Sequence, residues 1–162
     1  MKNTNLKTKY KIALVLLLVL ILIQFFGPAK NNEGVESFEP FLAETNPPEN
    51  VKTILKASCF DCHSNHTNYP WYGTITPVNY WLDADIMAGK KQFNVSLWPG
   101  YSNKKKDYKL KALMRVMDFR KMPLKSYANF HESANLSDEE IASVVNWANN
   151  MRIVYSINSI PQ

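Results

Sequence analysis

The chain has 162 residues, nineteen lysines and arginines against fourteen acids, a formal net charge of +5 and two cysteines. Four of the bases and none of the acids precede Pro28, which leaves fifteen bases against fourteen acids, a net +1, in the remainder. The basic pI therefore reflects the leader and gives no reason to expect nucleic-acid binding.

The leader "MKNTNLKTKYK" carries Lys2, Lys7, Lys9 and Lys11, and "IALVLLLVLILIQFF" follows with Gln24 as its only polar residue. As a helix this run and its flanks reach roughly 25 Å, slightly short of a hydrocarbon core. No small-x-small cleavage site follows in "QFFGPAKNNEG", so the expectation for residues 1–27 is an uncleaved signal anchor. Its lysines would stay cytoplasmic. That makes the protein single-pass in a bacterial inner membrane, with everything after Pro28 on the periplasmic side. Residues 28–46 are rich in Pro, Asn and Glu, lack periodicity, and read as a linker. A domain over 47–155 and a short tail over 156–162 complete the division. The domain is long enough for one small core, which a bound cofactor would help to bury.

Within that domain the pattern is helical. Val51, Ile54, Leu55, Ser58 and Cys59 fall at i, i+3, i+4, i+7 and i+8, after Asn46 and Pro47 as start signals, so the first cysteine emerges at a helix end on its inward face. A second helix starts near Thr76 in "TPVNYWLDADIMAGK", with Pro77 in its first turn and Gly89 as its stop. A third runs through "KKKDYKLKALMRVMDF", where Leu110, Leu113, Met114 and Met117 share a stripe and Pro123 closes it. The last, "LSDEEIASVVNWANNM", opens with a capping box of Ser137 and Glu140. No alternating strand pattern is present, so the fold class is all-α with long loops.

Both cysteines lie in one pentapeptide, Cys59-Phe60-Asp61-Cys62-His63. Three chemistries use such a cluster: a disulfide, a zinc site and covalent haem. A disulfide across so short a ring stabilises little and leaves His63 without a role. Zinc would recruit Cys59, Cys62, His63 and His66, but the adjacent Cys62 and His63 cannot easily converge on one tetrahedral ion. Haem uses every member. Two thiols three residues apart add to the two vinyl groups on one porphyrin edge, and the next residue turns its imidazole to the iron. The reading is one covalent haem c per chain, attached at Cys59 and Cys62 and ligated by His63.

The sixth iron position calls for a second donor, and a thioether there stabilises ferrous iron and raises the reduction potential. Met122 in "FRKMPLKSY" is the candidate, since Pro123 forces a loop at that point. Met87, Met114 and Met117 sit at helical spacing and read as core. His66 and His131 are the runners-up.

Three blocks, "CFDCHSNHTNYPWYGTITPVNYWL", "GKKQFNVSLW" and "KMPLKSYANFHESANLSDEEIASVVNWA", resemble in order the bacterial single-haem, cytochrome-c-like haem-binding domain family of exported proteins. The resemblance covers about residues 45–150. It implies a cytochrome-c-like helical fold, thioether sites at Cys59 and Cys62, His63 as proximal ligand and Met122 as distal ligand. Relatives typically carry a histidine where this chain has Asp85.

Two function classes follow. One is single-electron transfer by a tethered haem to an exported or membrane redox partner. The other is a peroxidase-like haem enzyme or a redox or gas sensor, with an open sixth position and a polar group from His66, His131 or Asp85. Residues 90–125 hold eleven bases against Asp107 and Asp118. With Lys121 and Lys125 bracketing Met122, an acidic partner surface is the expected match.

Overall fold

A computed structural model describes residues 3–157, and its regular structure is helical. The α-helices are α1 (Asn3–Ile23), α2 (Glu39–Thr45), α3 (Glu49–Ser58), α4 (Phe60–His63), α5 (Val78–Gln92), α6 (Asn103–Asp118), α7 (Lys125–Ala128) and α8 (Asp138–Ile157). Short 3-10 turns occur at Val35–Phe38, Trp71–Thr74, Val95–Gly100 and Glu132–Ala134. Among the described residues no strand forms, and the one β-bridge joins Asn32 to His66. The tail expected over 156–162 lies outside the described residues, except for Ser156 and Ile157, which continue α8. Lys2 of the leader also lies outside them.

The chain divides into two units. The smaller comprises the chain up to residue 30 together with 68–85, and the larger comprises 31–67 together with the chain from 86 onward. In the smaller unit α1 ends at Ile23, where Gln24 turns its amide onto the backbone of Thr76. Gln24 Oε1 accepts from the Thr76 N–H at 3.0 Å, and its Nε2 donates to Thr76 O at 3.1 Å. Thr76 Oγ1 donates in turn to Phe26 O at 2.9 Å.

That ending overturns the expected anchor. Only Ile12–Ile23 is both apolar and helical, a rise of roughly 18 Å against a core of about 30 Å. Lys7, Lys9 and Lys11 occupy the first half of the same helix. Among the described residues no helix is long and apolar enough to cross a membrane. The single-pass inner-membrane topology, and the periplasmic placement that rested on it, are therefore not supported.

The larger unit holds the main core, with α6 packed on α8 and α8 on α3. Its centre comes from the stretch expected to be a linker. Phe41 on α2 is fully buried, and four rings meet it edge-on: Trp98 at 5.0 Å, Phe60 at 6.0 Å, Trp147 at 6.1 Å and Phe93 at 6.2 Å between centroids. Such contacts add about 0.5–1.5 kcal/mol each beyond burial. Pro40 sits in the first turn of α2, where its missing N–H costs nothing. Asn46, at φ 36°, ends the helix in the left-handed conformation instead of starting the next. The last helix begins as the sequence predicts, with Glu140 N donating to Ser137 Oγ and Ser137 N to Glu140 Oε2.

Candidate functional site

Helix α3 delivers Cys59 at its end, with φ −126° and ψ −45°, and α4 begins at the next residue. The Cys59 carbonyl accepts from the N–H groups of Cys62 at 3.2 Å and His63 at 3.0 Å. This turn puts Cys59 and His63 one helical turn apart on the same side. Phe60 packs into the core, with its ring 4.7 Å from that of Phe38 and edge-on to Phe41, and also forms part of the wall beside Cys59 and His63. One short turn therefore carries both an anchor in the core and the candidate donors Cys59 and His63.

Cys59 and His63 form part of the wall of a cavity of about 280 Å³, close to the lower end of the size range of cofactor pockets. The same wall includes Phe93 and Val95, the α6 residues Ala112, Leu113, Val116 and Met117, and then Met122 and Pro123. Three of the four expected site residues, Cys59, His63 and Met122, thus share one largely apolar cavity. Cys62 is not part of its wall.

What Cys62 meets is Gly89. A Cβ built there would lie 2.5 Å from the Cys62 carbonyl oxygen and 3.2 Å from Cys62 Cβ. The expected helix stop at Gly89 is corrected accordingly: α5 continues to Gln92, and the glycine serves close approach. The chain then turns so that Phe93 O accepts from His63 Nδ1 at 2.8 Å.

That bond settles the state of the imidazole. A carbonyl only accepts, so Nδ1 carries a proton. Burial holds the His63 pKa below its ordinary value, against the opposing pull of the Phe93 and Gly89 carbonyls. The ring is neutral at pH 7, and Nε2 carries the lone pair, the arrangement that orients a metal-binding histidine. Burial, with Cys62 and Asp61 nearby, pushes the Cys59 thiol up to about 12, so it too is neutral.

Met122 is positioned by the end of α6 more than by Pro123. Arg120 adopts φ 48°, its N–H donates to Met117 O at 2.9 Å, and the Lys121 N–H donates to Val116 O at 2.8 Å. This is a Schellman ending with arginine where glycine is usual. Arg120 offsets the left-handed cost by pairing with Asp138 and donating to Leu136 O at 3.4 Å. The chain reverses there and brings Met122 into the wall.

The alternative ligands lie elsewhere. His66 holds Asn32 through Nδ1 at 3.0 Å, within the short bridge between residues 31–33 and 65–67. His131 stacks on Tyr127 at 3.9 Å and donates from Nδ1 to Tyr127 O at 3.0 Å. Neither is in the cavity wall. Asp85, in the smaller unit, has its carboxyl raised by burial. Cys59 and Cys62 are not joined as a disulfide, and among the described residues no group of three or more His, Cys, Asp or Glu side chains converges as a zinc site would require.

Sequence reasoning missed Gln92, Phe93, Tyr108 and Lys109 in the wall. The stripe that marked α6 as amphipathic also held the signal of Tyr108 and Lys109, because the cavity face adjoins the core face one or two positions away, whereas Gln92 and Phe93 lie at and just after the end of α5. It also counted Lys106 as part of a surface cluster. Lys106 is buried, with Nζ 2.6 Å from Glu44 Oε1 and the ring of Trp98 5.7 Å away.

These donors and walls fit a large, mostly apolar, metal-bearing planar ligand: an imidazole lone pair, a neutral thiol beside it and thioethers from another segment. Comparison with known proteins agrees. The family model described as "Haem-binding domain" matches residues 18–150. Cytochrome c peroxidase Ccp of Escherichia coli (strain K12) is 29% identical over 105 residues, which cover 63% of this chain but 23% of that protein. No solved structure matches.

Proposed function

The chain belongs to the haem-binding domain family, and on that premise we propose that it is a c-type electron carrier, with haem attached at Cys59 and Cys62, His63 as proximal ligand and Met122 as the sixth. The observation that carries this reading is the common cavity of Cys59, His63 and Met122, with His63 Nδ1 fixed on Phe93 O. Haem supplies one-electron oxidation and reduction at its iron. Cys59 and Cys62 would hold the haem through thioether bonds, and the neutral Cys59 thiol keeps the proton that addition to a vinyl group would consume. His63 presents Nε2 and keeps its orientation through Nδ1. Apolar residues of α6 exclude water and favour the less charged, reduced state. Met122, in the same wall, would hold the iron's remaining position, which would suit a carrier that binds no substrate there. Lys121 and Lys125, on either side of Met122, would attract an acidic partner.

A second reading follows from the relative's name, which is that of a peroxidase. Peroxidase chemistry needs a polar group near an open iron position to move a proton. The cavity wall holds His63 but no second histidine, and no aspartate, glutamate or arginine, among the described residues. That absence favours the carrier.

The test is the visible spectrum of the purified chain in both redox states, followed by acidic organic extraction. Haem that stays with the protein in the wild type and is lost from a Cys59→Ser, Cys62→Ser variant supports covalent attachment. Quantitative extraction from the wild type would refute it.

A further inference from the structure

The cavity wall contains one lysine and no other lysine or arginine, and no acid offsets it. Lys109 Nζ donates to the backbone carbonyl of Gln92, the residue before the one that holds His63. The ammonium has three donors, and the carbonyl uses one. Three other cations of the larger unit are paired with carboxylates: Lys106 with Glu44 at 2.6 Å, Arg152 with Asp107 at 2.8 Å, and Arg120 with Asp138. Among the described residues, no carboxylate lies within ion-pair reach of Lys109. Its charged neighbour is Lys105, another cation. Burial and Lys105 together hold the Lys109 ammonium below the usual lysine range, so the site lacks an anion.

An ammonium at the edge of a mostly apolar cavity selects for a ligand with an apolar body and an anionic edge. We infer that Lys109 is the binding site for a carboxylate side chain of the ligand in this cavity, and that it fixes which edge of the ligand faces Gln92. The inference rests on the haem reading, in which the carboxylate is a porphyrin propionate. It adds an orientation that the thiols alone leave to chance, because a planar ligand tethered at one edge can still tilt at the other. Lys109 is a binding and positioning residue. It reaches the propionate directly, and it acts on His63 through the adjacent carbonyls of Gln92 and Phe93.

The test compares Lys109→Met with Lys104→Met, since Lys104 is an exposed lysine of the same helix whose loss changes net charge equally. Haem-loaded full chains are measured at fixed pH for reduction potential and for the propionate-bending band in resonance Raman spectra. Lys109→Met should lower the potential more than Lys104→Met and shift the band, while Lys109→Arg should restore both. Should Lys109→Met load haem poorly, Lys109→Gln, which can still donate to the Gln92 carbonyl, supports the same comparison. An unmoved band together with equal potential shifts for the Lys104 and Lys109 variants would overturn the inference alone. A wild-type chain without any haem spectrum would overturn the haem reading and this one with it.

Discussion

Gly89 and Cys62 approach so closely that a single methyl group on the glycine would stand 2.5 Å from the Cys62 carbonyl oxygen. The contact is with backbone, which cannot rotate away as a side chain can. It joins the turn carrying both cysteines to the helix whose end supplies the His63 acceptor at Phe93.

Gly89→Ala should therefore destabilise the chain even though alanine is the better helix former by about 1 kcal/mol. Overpacking costs of about 1–3 kcal/mol should win, and His63 should lose its fixed orientation. Denaturant midpoints and the ferric spectrum check both effects. A variant more stable than wild type would show that the approach is looser than stated.

Phe41→Ala should cost about 3–5 kcal/mol in a denaturant titration. The ring is fully buried among four others, so its loss leaves a void that the surrounding helices cannot fill. A loss below 1 kcal/mol would be the behaviour of a linker residue.

Met122→Ala should remove the weak red absorption that sulfur ligation gives ferric haem, and should open the iron to cyanide or carbon monoxide. His66→Ala and His131→Ala should leave that absorption in place. Met117, buried in the core and also part of the cavity wall, is the control: if Met117→Leu alone abolishes the band, the ligand has been misassigned.

Acid should weaken the fold through Glu44. Burial tends to raise its pKa, but hydrogen bonds from Lys106 and Tyr155 and the Lys106 charge outweigh that and hold it below its ordinary 4.5. A carboxylate depressed in the folded state binds fewer protons there than in the unfolded chain. Its stabilisation is present above about pH 4.5 and disappears as pH falls through the lower, folded value. Glu44→Gln should lose about 2 kcal/mol near neutrality and flatten the stability profile below pH 5. An unchanged acid slope would assign the loss to other groups.

Legibility in the sequence followed the range of the interactions involved. Cys59, Cys62 and His63 fall within five residues, so the motif could be read at once. The capping box at Ser137 and Glu140 is local too. Phe41 gave no signal, because "EPFLAET" spans under two helical turns among acids and prolines and its burial depends on rings from residues 60, 93, 98 and 147. The apolar run from Ile12 was read by composition, whereas its length as a helix is set by Gln24 bonding to Thr76 fifty-two residues away. Arg120 at φ 48° could not be foreseen either, since nothing in its residue type announces a left-handed conformation. Lys109 looked like one more surface lysine until α6 was placed against Gln92.

Phe41 does not line the cavity, yet two residues that do, Phe60 and Phe93, rest their rings edge-on against it. The shape of the site is thus fixed when the chain folds. Ordering the wall is an entropic cost met during folding, so an incoming ligand spends little of its affinity on it. A substitution at Phe41 would make the cavity an adaptable one, with faster ligand loss and a broader choice of occupants, while every residue that touches the ligand stayed the same.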